Sequence, residues 1–173
     1  MKDEIEYRFA QEGDGQRYCD LMNQAGGESP FLAFNRGKFY LDADGAEALI
    51  ERYSSHDNEA FFVATESDRI IGICLLESST FPRLQHQAEL RISVLKEAWG
   101  SGVSRKLMDM AIEFFNTNAL LTRLSLQVST QHARGIEVYR KYGFLEEGVK
   151  RRGMRVENEY HDLVRMAVLK DEE

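Results

Sequence analysis

The stretch Leu90–Phe115, LRISVLKEAWGSGVSRKLMDMAIEFF, changes its hydrophobic period halfway along. Leu90, Ile92 and Val94 are apolar while Arg91 and Ser93 are not, the period of a strand. The turn Trp99-Gly100-Ser101-Gly102 follows. Then Val103, Leu107, Met110, Ala111 and Phe114 recur at helical spacing. A strand turning sharply into a helix gathers unpaired backbone N–H groups at the helix start. The helix dipole adds partial positive charge there. Glycine permits the tight turn and the close approach of a ligand. Such a place suits a phosphate or pyrophosphate. The same residues equally suit a plain strand-to-helix connection in an α/β core.

Downstream, Leu124, Leu126 and Val128 alternate with Ser125 and Gln127, which predicts a strand. His132–Tyr142 has a helical pattern with Ile136 and Tyr139 on one face, and Gly143 is placed as its C-terminal cap. Phe144–Lys150 and Glu159–Leu169 read as closing strands around Glu157-Asn158. Upstream, Gln87–Val94 is the strand that enters the opening stretch. Phe61–Thr65 and Arg69–Leu76, joined at Ser67-Asp68, form a hairpin signal. Phe81-Pro82-Arg83 breaks the chain after it. Asp44-Gly-Ala-Glu47 resembles a capping box opening a helix that ends near Ser54-Ser55. Glu28–Asp42 is irregular; its Phe31, Phe34, Phe39 and Tyr40 either pack on the core or line a substrate wall. Arg17–Met22 is helical and stops near Gly26-Gly27, and Ile5–Ala10 is a first strand. The order β-α-α-β-β-β-α-β-α-β-β predicts one α/β domain over residues 1–173, a mixed sheet flanked by helices.

The 173 residues are enough for one domain with a real core. No apolar run is long enough to span a membrane. The start, MKDEIEYRF, lacks a signal-peptide stretch, which favours the cytoplasm. Cys19 and Cys74 show no CxxC spacing and read as free thiols. The formal net charge of −7 disfavours a nucleic-acid partner and suits solubility, or attraction of a cationic substrate. His56, His86, His132 and His161 lack metal-ligand spacing, so no metal is expected. The Lys150-Arg151-Arg152 cluster with Arg155 reads as a solvated strand face or a contact for a phosphate.

Two segments carry a resemblance when taken together: Val94–Leu107, and Val128-Ser-Thr-Gln-His-Ala-Arg-Gly-Ile-Glu-Val-Tyr-Arg-Lys-Tyr-Gly-Phe144. Their order and separation resemble the GNAT superfamily of N-acetyltransferases. The first is similar to its acyl-CoA motif, Gln/Arg-x-x-Gly-x-Gly/Ala, and the second to its Tyr-x-x-x-Gly-Phe helix. Ile70-Ile71-Gly72 and the tail with Glu147-Gly148, Tyr160-His161-Asp162 and Met166 are similar to the branch of ribosomal-protein and small-amine acetyltransferases. This chain departs from the pattern at four places. Trp99 stands where Gln or Arg is usual, Ser104 where Gly or Ala is usual, His132 where Asn is usual and Gly135 where Ala is usual.

The resemblance implies a mostly antiparallel GNAT-like acyl-CoA N-acyltransferase sheet and acetyl-CoA as cosubstrate. It implies that amides of Gly100, Ser101, Gly102, Val103 and Ser104 cradle the pyrophosphate. The backbone of Ile92, Ser93 and Val94 would pair with the pantetheine arm, which needs a splayed strand edge. Arg105 would meet phosphate charge or belong to a solvated basic face, and His132 stands at a usual cofactor contact. Tyr139 would protonate the leaving thiolate, since a phenol of pKa about 10 is protonated at neutral pH; its alternative is a packed aromatic. Val94 N–H would polarise the thioester carbonyl. Glu89, on the face of Arg91 and Ser93, would take the amine proton directly or through water; its alternative is a salt bridge to Arg91. The implied acceptor is a small-molecule amine, amino acid, polyamine or protein N-terminus, and a homodimer is a family-level implication. A catalytically silent CoA-binding sensor or interaction module with this fold, or a protein for another phosphate ligand, are the competing readings.

Overall fold

The computed structural model describes residues 4–170; the first residues of the MKDEIEYRF start lie outside them. The elements follow the expected order: β1 (Glu6–Phe9), α1 (Gly15–Glu28), α2 (Ala43–Ser54), β2 (Ala60–Glu66), β3 (Arg69–Ser78), β4 (Gln87–Val94), α3 (Val103–Thr117), β5 (Arg123–Ser129), α4 (Ala133–Lys141), β6 (Leu145–Val156) and β7 (Glu159–Leu169). The seven strands form one mixed sheet in the order β1-β2-β3-β4-β5-β7-β6. Every neighbouring pair is antiparallel except β4 with β5. A short 3₁₀ turn, Lys96–Ala98, separates β4 from the glycine turn.

The central strands β2 and β3 are almost wholly buried because both faces of the sheet are covered there. Adjacent residues show the two layers. Phe61 packs edge-on against Tyr18 of α1 and Tyr53 of α2, whereas Phe62 meets Phe114 of α3. A methyl group added at Gly72 would meet Val103 and Leu107, which fixes α3 on the Phe62 face. Tyr142 at the end of α4 donates to Asp109 of α3 at 2.7 Å, so α4 lies beside α3. The core residues of α3, Val103, Leu107, Met108, Ala111 and Phe115, are each almost fully buried.

Helix α1 ends at Glu28, one residue past Gly26-Gly27, as the sequence places it. A Cβ at Gly26 would lie 2.8 Å from the Asn35 carbonyl oxygen, and one at Gly27 2.4 Å from Arg36 Nε. These glycines also let the 29–42 segment lie against the helix. One local expectation is corrected: the cap of α2 is not Asp44 but Asp42, whose carboxylate accepts from Gly45 N at 2.9 Å. Glu47 instead accepts from Gly13 N at 3.1 Å and Gly15 N at 2.6 Å, tying the two helix starts together. Among the described residues no helix is long and apolar enough to cross a membrane.

Candidate active site

The ladder between β4 and β5 is short. It pairs Gln87, Ala88 and Glu89 with Arg123, Leu124 and Ser125, and then ends. Strand β4 nevertheless stays paired with β3 through Val94, and β5 with β7 through Ser129. The two parallel strands therefore diverge beyond Glu89, and a wedge opens at the centre of the sheet.

Strand register decides which main-chain groups look into that wedge. Leu95 N donates to Ile71 O at 2.9 Å. In an antiparallel ladder, bonded and non-bonded pairs alternate. Arg91 and Ser93 thus spend their main-chain groups on β3, while Leu90, Ile92 and Val94 turn theirs toward β5 and the wedge. Of the expected backbone contacts, Ile92 and Val94 face the opening and Ser93 does not. The Val94 carbonyl accepts from Trp99 Nε1 at 2.8 Å, which leaves its N–H toward the wedge. Trp99 is 52% exposed and stands beside the end of β4.

At the wide end of the wedge begins α3. Gly100 and Gly102 have φ of 77° and 91°, the left-handed region that glycine enters without steric cost. Gly102 is the N-cap and offers no side chain to the helix. Among the described residues nothing accepts from the amides of Gly102, Val103, Ser104 or Arg105. A Cβ at Gly100 or Gly102 would meet nothing within 4 Å, so the approach is open. Ser101 differs: its N–H and its hydroxyl both turn back on the Ala98 carbonyl, at 3.3 and 2.6 Å. The open wedge, the free amides and the bare glycines fit a chain-like ligand with a diphosphate at one end.

Tyr139, on α4, packs against Phe144 at 6.0 Å between ring centroids. Burial pushes its hydroxyl up to about 12, with the Cys74 thiol adding to the shift. Cys74 lies across β3 from Ile92 on the α3 face, so the phenol sits at the level of the wedge. No group among the described residues bonds to the Tyr139 hydroxyl. It is a protonated donor with nothing among the described residues to donate to.

Glu89 lies on the opposite face, at the last rung before the strands part. Its Oε1 is 3.9 Å from Arg91 Nε, so the ion pair considered from sequence exists, but it is loose and half exposed. Glu77 of β3 joins this cluster, 3.4 Å from both Arg91 and Arg52. His132 is the N-cap of α4 without a side-chain cap bond; its ring stacks on Phe31. Burial and the nearby Arg134 lower its pKa from the ordinary 6.5. Arg105, in the first turn of α3, is exposed.

The sequence named Arg91 only as a partner for Glu89 and Phe31 only as one of four loop aromatics, and it missed Glu77. The alternation that put Glu89 and Arg91 on one face was the available signal. For Phe31, a partner 101 positions further along the chain left none.

Comparison with known proteins gives a consistent result. The acetyltransferase (GNAT) family profile matches residues 28–144. A spermidine N(1)-acetyltransferase from Vibrio cholerae is 26% identical over 98% of this chain and 95% of its own length. An L-amino acid N-acetyltransferase from Escherichia coli is 30% identical over 69% of this chain and 74% of its own. The crystal structure of a GNAT-family acetyltransferase from Streptococcus pneumoniae superposes with a TM-score of 0.92. It is 27% identical, over 97% of this chain and all of that one.

Proposed function

The chain belongs to the acetyltransferase (GNAT) family and is an acetyl-CoA-dependent N-acetyltransferase; from that premise we propose that it acetylates a primary amine by direct attack in a ternary complex. The acceptor is a small molecule, an amino acid, a polyamine or a protein N-terminus. What carries the reading is the parting of β4 from β5 at Glu89, with the Val94 N–H on its edge and the Tyr139 hydroxyl beside it.

Acetyl-CoA supplies a thioester, an acyl carbon open to attack and a sulfur able to leave. The amides of Gly102, Val103 and Ser104 hold the diphosphate, with the helix dipole behind them. Arg105 adds charge at the same end. Ile92 and Val94 extend the sheet by pairing their main chain with the pantetheine arm, a form of strand addition. The Val94 N–H polarises the acyl oxygen. The acceptor enters from the Glu89 face. Glu89 takes the ammonium proton, directly or through water, and so frees the lone pair for attack. Tyr139 Oη gives its proton to the departing sulfur.

The test is calorimetric binding of acetyl-CoA together with thiol release on an amine panel. Binding with acetyl-dependent thiol release is the expected result. Binding without release on any amine would leave a silent CoA module, and no binding at all would remove the reading.

A further inference from the structure

Trp99 is the one tryptophan of the chain and stands where the acyl-CoA motif usually has Gln or Arg. Its main chain is fixed on both sides. Trp99 N donates to Lys96 O at 3.1 Å, and the Ser101 N–H and hydroxyl both bond to Ala98 O. Its side chain is fixed as well, by the 2.8 Å bond from Nε1 to Val94 O. Yet 52% of the residue stays exposed, and among the described residues no ring or cation stacks on the indole. A large apolar face held still in water contributes little to the core. It is a surface already in place for something else to cover.

The carbonyl that Nε1 reaches fixes where the ring lies. Leu95 N bonds to Ile71 O, so Val94 and Gly72 form a non-bonded pair. Val94 therefore points both its N–H and its C=O away from β3, toward the wedge. The indole binds that oxygen from the wedge side. It stands at the wide end of the wedge, after the Val94 edge and before the start of α3, where the amides of Gly102, Val103 and Ser104 are free. The space at Gly100 and Gly102 is open.

Strand edge, indole and free amides follow one another in the order of the cosubstrate's own chemistry. Next to its diphosphate, acetyl-CoA carries a carbon bearing two methyl groups. Its amides and its thioester come only beyond that carbon. The helix start suits the diphosphate, and the strand edge suits the amide-bearing part. The dimethyl carbon makes no hydrogen bond and suits an apolar face. The Nε1 bond also occupies the Val94 carbonyl, so the arm meets Val94 through its N–H alone.

We propose that Trp99 is a cosubstrate-binding residue whose indole covers the dimethyl-bearing segment of acetyl-CoA, between the diphosphate and the amides of the arm. The proposal rests on the acetyl-CoA site described above.

The experiment titrates the wild-type protein with CoA, pantetheine and ADP, reading indole fluorescence beside calorimetry. With one tryptophan, every change in indole emission reports Trp99. CoA, and pantetheine at higher concentration, should move the emission to shorter wavelength as the ring loses water; ADP, which lacks the dimethyl segment, should not. Trp99→Ala should weaken CoA binding about tenfold and raise KM for acetyl-CoA by a similar factor, with the loss in KM rather than in kcat. Trp99→Phe keeps an aromatic face without the bond to Val94 and should lose less. Melting temperatures of both variants check that the fold is kept. An emission shift with ADP equal to that with CoA would put the adenine on the ring and overturn the proposal. Calorimetric binding of CoA with no emission change would do the same, as would CoA affinity in Trp99→Ala equal to wild type or tighter. Equal losses in the two variants would assign the effect to the Val94 bond and overturn it too. No calorimetric binding of CoA at all would instead remove the site on which the proposal rests.

Discussion

The imidazole of His132 lies flat on the ring of Phe31, with centroids 4.3 Å apart and planes 11° apart. Phe31 belongs to the loop that follows α1, and Glu28 at the end of α1 accepts from Lys96 N just past β4 at 2.7 Å. His132 belongs to the turn after β5. The stack thus joins the two sides that the diverging strands separate. The imidazole also leaves no room beside Gly135: a Cβ there would lie 2.7 Å from His132 Cδ2. The His and Gly that depart from the family pattern are one departure, a flat ring and the missing methyl that accommodates it.

Gly135→Ala should therefore destabilise the wild-type chain, because the imidazole must leave Phe31, although alanine favours a helix over glycine by about 1 kcal/mol. In a His132→Asn background the same substitution should stabilise. A double-mutant cycle by urea unfolding should give a coupling of about 1–2 kcal/mol. Additive effects would show that the ring does not fill the space.

His132 also makes stability depend on pH. Its folded pKa lies below the unfolded value, so the unfolded chain binds the proton more readily. Stability is intact above the unfolded value of about 6.5. It declines as pH falls through that value and settles once the depressed folded value is passed. Unfolding at pH 7.5, 6 and 5 should show a smaller loss on acidification for His132→Gln than for wild type. Equal losses would mean that the imidazole titrates as if free.

Tyr139→Phe keeps the packing on Phe144 and removes only the donor. We expect kcat to fall by about 100-fold with KM for acetyl-CoA little changed. Because the hydroxyl is pushed up to about 12, the wild-type rate should show no falling alkaline limb from this group below pH 10. An unchanged kcat would reduce Tyr139 to a packed aromatic.

Glu89→Gln is close in size to glutamate and sits in a half-exposed cluster, so folding should be retained. If the carboxylate removes the amine proton, the loss of kcat/KM should be largest near neutral pH. It should shrink as alkaline solution deprotonates the acceptor. A loss constant across pH would assign Glu89 to positioning.

Gly102 sits at φ 91° with open space before it. Gly102→Val imposes left-handed strain of about 1–2 kcal/mol and sets a branched side chain in front of the free amides. Calorimetry should show acetyl-CoA affinity reduced at least about tenfold, with a lowered melting temperature. Affinity equal to wild type would place the diphosphate elsewhere.

The sequence by itself determined the element order, because each element is announced by local signals: a period of two in Gln87–Val94, a period of 3.6 from Val103, and a glycine after α4. It also marked the glycine turn and Tyr139 as a pair, since motif spacing is a property of the chain. It failed where a residue serves a distant partner. Gly26-Gly27 rightly marked the end of α1, but nothing local reveals that Asn35 and Arg36 come to lie against them. Glu47 read as a cap because its real partners are the amides of Gly13 and Gly15. Only the tertiary structure decided that β4 and β5 part after Glu89, that Ile92 and Val94 rather than Ser93 face the gap, and that Arg91 pairs with Glu77 of β3 as well as with Glu89. Those facts depend on how β3 and β7 hold the two strands from outside. Ladder register between segments far apart in the chain is a collective property that no local pattern encodes.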